Sequence, residues 1–358
     1  MATVVLAGGG TAGHIEPALA VARQWATTHP TDNLLFLGTS SGLETTLIPA
    51  ANFPLHLIPR VRISRTPSAS WLKIPGDLLA SVRSCTKVIK GADAVIGFGG
   101  YVSAPAYIAA KLSGVPIVIH EANAKPGWAN RLGALFTDHL AVAHPVEGGK
   151  FSSALLAGLP LRSDVAQGFV AAEKDWAKAR KDAKQRLGFS ENAPLVIIMG
   201  GSQGSVAINT VIEAAVAFFN DKGIQVLHSV GKLNALPESV GSYKAISYID
   251  AMADAYLAAD LIIGRSGAVT CSEFRALGRY ALFVPLPIGN GEQFVNAASL
   301  VADGRAEILN QKDFTAQYLM NNLENLLQRS GQAPVQGDGA DLHAAEKIAA
   351  LTGFAITS

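Results

Sequence analysis

Charge is scarce in this 358-residue chain: Asp, Glu, Lys and Arg make up 16% of it and leave a net charge of +1. So neutral a chain lacks the field of a general nucleic-acid binder, and no nucleic-acid partner is expected. With 49% hydrophobic residues it also excludes extended disorder, and its length allows two domains with full cores. Cysteine is almost missing. Cys85 and Cys271 stand far apart in no metal-binding spacing, which argues for a reducing compartment and for two ordinary small apolar residues. No apolar run reaches the ~18–20 residues that span a bilayer. No basic segment with an apolar core precedes the first strand, so a secretory signal is not expected and a cytoplasmic location is. No Asp-x-Asp pair occurs to hold a metal on a nucleotide-sugar diphosphate, and the sequence requires no cofactor.

What is present is a unit that occurs twice. Val4–Ala7 runs into Gly8-Gly9-Gly10-Thr11-Ala12-Gly13-His14, and Val196–Met199 runs into Gly200-Gly201-Ser202-Gln203-Gly204-Ser205. Each reads as a buried strand, a glycine turn and a helix start, a geometry whose backbone N–H groups can face an anion. Short apolar runs alternate with helical stretches around both copies. The first set is Thr3–Ala7, Leu34–Gly38, Leu55–Ile58, Ala94–Gly97, Pro116–His120, His139–Val142 and Ala154–Ala157. The second is Leu195–Gly200, Gln225–Val230, Lys244–Tyr248, Leu261–Gly264, Tyr280–Val284 and Ala306–Leu309. This order implies α/β architecture with doubly wound parallel sheets. The expected division is 1–160 as one Rossmann-like domain, 161–194 as hinge and linker helix, 195–338 as a second, and 339–358 as a closing helix. Glu173–Arg186 reads as an exposed helix stopped by Gly188, and Gly331–Gly339 as a second linker.

The polar residues cluster where strands end. Gly8, Gly10 and Gly13 match G-x-G-x-x-G, yet Phe36-Leu37-Gly38-Thr39 ends the second strand without the acid that a dinucleotide's ribose needs. A flavin- or nicotinamide-dependent oxidoreductase therefore stays a weaker alternative. His14 at a helix N-terminus is disfavoured as imidazolium and can act as a base or as a simple cap. Gly99-Gly100-Tyr101 and His120-Glu121-Ala122-Asn123 follow two further strands, and the carboxyl ends of such strands form ligand sites. Arg265-Ser266-Gly267-Ala268-Val269-Thr270 enters a helix carrying Glu273, a set suited to a diphosphate and a ribose. Glu292 and Gln293 offer hydrogen bonds to sugar hydroxyls. Trp71-Leu72-Lys73-Ile74, with Leu79 and Arg83 beyond, mixes apolar and basic residues, as does either an interfacial membrane patch or a half-buried helix.

Taken in order, Gly8–His14, Gly97–Ser103, His120-Glu121-x-Asn123, Gly200–Gly204, Arg265–Ala268 with Glu273, and Gln293 with Asn296-Ala297 resemble the motifs of the MurG family of glycosyltransferases. The likeness runs from residue 1 to about 310, and the Gly289–Gln293 stretch resembles the actinobacterial branch. The resemblance implies a GT-B fold, two Rossmann-like domains facing across a cleft. It implies transfer of GlcNAc from UDP-GlcNAc to the 4-hydroxyl of MurNAc in lipid I, giving lipid II with inversion at the cytoplasmic face of the inner membrane. Another GT-B transferase acting on a lipid or natural product is the close rival. Donor binding would fall to Thr11, Ala12, Gly13, Asn123, Arg162, Ser202, Gln203, Ile249, Arg265, Ala268, Val269, Thr270, Glu273, Glu292 and Gln293. Gly10, Gly13, His14, Gly99, Gly100 and Tyr101 would face the acceptor. His14, with Glu121 as the second choice, would be the base. Trp71, Leu72, Ile74, Leu79 and Arg83 would then meet the membrane, and other cell-wall or division enzymes would be further partners. Ala122 and Leu159 stand where the family often has Gln and Asn, so two polar groups are missing there.

Overall fold

Continuous runs of Val, Ile and Leu form strands buried on both faces, because helices cover each side of a parallel sheet. The computed structural model describes residues 1–61, 74–287 and 291–358. Among these residues thirteen strands form two sheets, every pair parallel. The first sheet contains β1 (Thr3–Ala7), β2 (Asn33–Gly38), β3 (Leu55–Leu57), β4 (Ala94–Gly97), β5 (Ile117–Glu121), β6 (Leu140–Val142) and β7 (Leu155–Leu156). Its order is β3-β2-β1-β4-β5-β6-β7. The second contains β8 (Leu195–Met199), β9 (Gln225–Ser229), β10 (Tyr243–Ile246), β11 (Leu261–Gly264), β12 (Ala281–Phe283) and β13 (Ala306–Ile308), ordered β10-β9-β8-β11-β12-β13. Both orders are the doubly wound 3-2-1-4-5-6, extended by one edge strand in the first sheet.

The pleat of β1 divides the first core. Val4 and Leu6 point to the side covered by the helix Ala12–Thr28 and by Ile348 and Ala349 of the closing helix Ala344–Thr357. Val5 and Ala7 point to the side covered by the helices Ile74–Ile89 and Ser103–Ser113. In the second sheet Val196 and Ile198 pack under the helices Val206–Glu213 and Ala316–Gln332. The chain divides into two compact units, Met1–Arg162 with Asp341–Ser358, and Ser163–Ala340.

Two helix boundaries differ from the sequence reading. The charged stretch becomes a helix only at Trp176, because Asp175 takes an extended conformation and its side chain accepts from Lys178 N–H at 3.0 Å. A separate helix, Ser163–Ala172, precedes it, and both pack on the helix Met252–Ala258. The helix Ala316–Gln332 also runs through Gly331, the start of the expected second linker. Trp71, Leu72, Gly289 and Asn290 lie outside the described residues.

Candidate active site

In each sheet the winding reverses at the first strand of the set, which opens a crevice at the carboxyl ends of two neighbouring strands. In the first unit those strands are β1 and β4, with Ala7 opposite Gly97. The turn after β1 feeds the helix Ala12–Thr28, and the turn after β4 feeds Ser103–Ser113. Ser103 joins them: its Oγ lies 2.8 Å from both the Ala7 and Gly99 carbonyl oxygens and accepts from Gly99 N–H at 3.1 Å.

His14 lies where the turns meet. Gly99 and Gly100 have φ of +90° and +81°. A Cβ on Gly99 would stand 3.4 Å from His14 Nε2, and one on Gly100 would stand 3.2 Å from Nδ1 and 2.6 Å from the Gly9 carbonyl oxygen. Glycine is thus needed twice over, for the left-handed backbone and for the approach of imidazole to main chain. Thr11 Oγ1 is 3.2 Å from His14 Nδ1. Burial pushes the His14 pKa below its ordinary value, and this outweighs the opposing pull of the Glu121 charge, a hydrogen bond to the Gly9 backbone and the Glu44 charge. Burial thus favours the neutral form of the ring.

Glu121 is buried, and the loop that follows it folds around its carboxylate. Oε1 accepts from Asn123 N–H at 2.9 Å and from Asn123 Nδ2 at 3.2 Å; Oε2 accepts from Gly127 N–H at 2.9 Å and from Asn130 Nδ2 at 3.0 Å. Asn130 in turn accepts from the buried Tyr107 hydroxyl at 2.7 Å. Four donors from the protein fill the acceptor positions a proton would need. His120 points away from this cluster; its Nε2 is 2.9 Å from the Gly158 carbonyl oxygen, and burial pushes its pKa down to about 4. Arg162 lies 3.8 Å from Glu16 on the helix that carries His14.

Two residues here escaped sequence reasoning. Trp128, 52% exposed, forms a tilted pair with Tyr101, 43% exposed, at 6.3 Å between ring centroids. Glu44 is completely buried, and its Oε2 accepts from Gly10 N–H at 2.9 Å. The lone tryptophan after Gly127 was a visible signal. The contact of Glu44 with residue 10 was not, since it joins segments 34 positions apart.

In the second unit the crevice lies between β8 and β11, with Met199 opposite Gly264. The turn Gly200–Gly204 leads to Ser205, whose hydroxyl oxygen caps the helix Val206–Glu213. Ser202 is half-buried and Gln203 exposed, and the Gln203 carbonyl accepts from Asn234 Nδ2 at 3.0 Å. Arg265 is buried and ties four segments together: Nη1 donates to the Val284 and Pro285 carbonyls at 2.8 and 3.0 Å, and Nη2 to Ser205 Oγ at 2.8 Å and Gln311 Oε1 at 2.7 Å. Sequence reasoning aims this guanidinium at a diphosphate; in the structure both terminal nitrogens serve protein acceptors.

The helix Ala268–Leu277 begins beside it, with Ala268 buried, Val269 and Thr270 half-buried, and Glu273 buried one turn in, accepting from the Tyr256 hydroxyl at 3.1 Å. Gln293 Oε1 accepts from Leu286 N–H at 2.9 Å, and Glu292 begins the helix Glu292–Ala302. Ile249 is buried beyond β10. Among the described residues no three His, Cys, Asp or Glu side chains converge as a metal site.

Two Rossmann-like sheets in one chain, each with a glycine turn at its switch point, give the GT-B fold. Profiles of the glycosyltransferase family 28 N-terminal and C-terminal domains match residues 4–142 and 195–351. The chain belongs to glycosyltransferase family 28. It is 43% identical over 327 residues to a Streptomyces coelicolor protein named UDP-N-acetylglucosamine--N-acetylmuramyl-(pentapeptide) pyrophosphoryl-undecaprenol N-acetylglucosamine transferase, covering 89% of this chain and 88% of that one. It is equally identical, over 339 residues, to the protein of that name from Corynebacterium glutamicum, covering 94% and 92%. The crystal structure of Acinetobacter baumannii MurG superposes with a TM-score of 0.68 at 27% identity, covering 99% of this chain and all of that one.

Proposed function

We propose that this chain transfers N-acetylglucosamine from UDP-GlcNAc to the 4-hydroxyl of the N-acetylmuramyl sugar of lipid I, forming lipid II with inversion. The observation that carries this reading is the 43% identity, over nine-tenths of the chain, to a relative named for that transfer. The acceptor oxygen attacks C1 of GlcNAc as the bond from C1 to the β-phosphate oxygen breaks, and UDP leaves. A base must take the hydroxyl proton, and the leaving diphosphate must be stabilised.

His14 is assigned as that base. Burial favours its neutral form, and Thr11 and the Gly99-Gly100 turn fix its ring, which leaves Nε2 to receive the proton. Glu121 is assigned to shaping the loop that carries Asn123, and its charge favours the imidazolium as it forms. Tyr101, Gly99, Gly100 and the Gly10–Gly13 turn face the acceptor. In the second unit Ser202 and Gln203 face the diphosphate, and Ala268–Thr270 supply helix N-terminal amides to it. Glu273 takes the ribose hydroxyls, Ile249 meets uracil, and Glu292 and Gln293 take GlcNAc hydroxyls. Arg265 acts by holding these loops in place.

We assign the protein to the cytoplasmic face of the membrane. Among the described residues no helix is long and apolar enough to cross it. The helix Ile74–Ile89 instead buries Val82, Cys85 and Ile89 and exposes Leu79, Arg83 and Lys87, with Lys90 just beyond. Thermal melting tests the ligand class. UDP and UDP-GlcNAc at a hundred times their Kd should each add about 2.7 kcal/mol of stability, and NAD should add none. Stabilisation by NAD alone would return the chain to the oxidoreductase reading.

A further inference from the structure

A glycine turn ahead of a helix ordinarily offers its amides to a bound anion. In the first turn of this protein one amide already has an anion, and that anion is part of the chain. Glu44 is completely buried. Oε2 accepts from Gly10 N–H at 2.9 Å, while Oε1 accepts from Thr39 N–H at 2.8 Å and from the Thr39 hydroxyl at 2.9 Å. Glu44 begins the helix Glu44–Ala50, where the helix dipole favours a carboxylate. The seat is closely built. A Cβ on Gly42 would come within 1.9 Å of Oε2, one on Gly38 within 2.6 Å of Cγ, and one on Gly9 within 3.1 Å of Oε1.

We infer that Glu44 is a positioning residue for the acceptor: its carboxylate takes the place of a phosphate under the first glycine turn and so sets Gly10, Thr11 and the His14 ring. This rests on the reading of that turn as the acceptor loop. Gly10 N–H is withdrawn from the acceptor's diphosphate, which is left the amides of Ala12 and Gly13 at the helix start. The carboxylate acts through Gly10 and Thr39 and touches no substrate. A charge-assisted bond to a buried carboxylate holds a loop more firmly than a neutral one, which suits a turn that must present a base at a fixed distance.

Glu44→Gln in the full chain tests this, read by the amide resonance of Gly10 in glycine-labelled protein and by steady-state kinetics. The Gly10 amide proton should move upfield as its charged acceptor is replaced. KM for a lipid I analogue should rise about ten-fold while KM for UDP-GlcNAc stays within two-fold. Glu44→Asp, which restores the charge on a shorter arm, should recover part of the loss. A merely structural role would move both KM values together or lower the active fraction alone, and that result, or an unmoved Gly10 resonance, overturns the inference. If Glu44→Gln does not fold, Thr39→Val takes its place: acceptor KM should rise about three-fold with donor KM unchanged, and no change overturns it. Failure of the wild type to use lipid I would count against the acceptor reading instead, and the Gly10 resonance would still report on Glu44.

Discussion

At the scale of single residues the proposed chemistry depends on keeping His14 neutral. Burial lowers its pKa from the ordinary 6.5 more than the Glu121 and Glu44 charges raise it. A base must be unprotonated, so kcat should fall as pH drops through that lowered value, and the acid limb should have its midpoint below pH 6.5. His14→Ala should lower kcat by more than ten-fold, at least about 1.4 kcal/mol of transition-state stabilisation. A loss of ten-fold or less, or an acid limb above pH 6.5 that survives the substitution, removes His14 from the role. The place of His14 was legible in the sequence because its glycine turn and helix start are local features. Glu44 was not legible as a site residue, since its partners Gly10 and Thr39 belong to other segments. Glu121 read as the second choice for the base because the closing of its loop, with donors two to nine residues downstream, is not visible in the sequence.

At the scale of elements, each of the thirteen described strands overlaps an apolar run, because a strand covered by helices leaves a local hydrophobic signature; the exposed edge strand Leu155–Leu156 is apolar without that cover. Helix ends were less legible. A charged run is compatible with helix throughout, and only the cap at Asp175 decides where this one starts. The helix Ile74–Ile89 shows how an ambiguous composition resolves. Its buried face is occupied at Val82, Cys85 and Ile89, which leaves Leu79, Arg83 and Lys87 on one exposed stripe at helical spacing, with Leu79 49% exposed. Each base near an anionic surface contributes about 1 kcal/mol. Arg83→Ala with Lys87→Ala should therefore weaken binding to anionic phospholipid vesicles roughly 30-fold in co-sedimentation at physiological salt. Unchanged binding would move the membrane contact away from this helix.

At the scale of the whole molecule the repeated strand–glycine–helix unit becomes two sheets of one winding order, each with its turn at the switch point. The two turns are not equivalent. The turn after β8 is followed by Ser205, which Arg265 ties to the loops after β12, and a buried carboxylate, Glu273, stands one helical turn beyond Ala268. The turn after β1 has its own buried carboxylate beneath it and, on its helix, a histidine whose burial favours the neutral form. In the proposed function this asymmetry fits one unit to a nucleotide sugar and the other to an acceptor that must lose a proton. Incubating the protein with UDP-GlcNAc labelled in the sugar and a lipid I analogue tests this most directly. The label should appear in a β-linked disaccharide on the lipid carrier, in step with release of UDP. Label found only in free GlcNAc, or UDP release that ignores the acceptor, would contradict it.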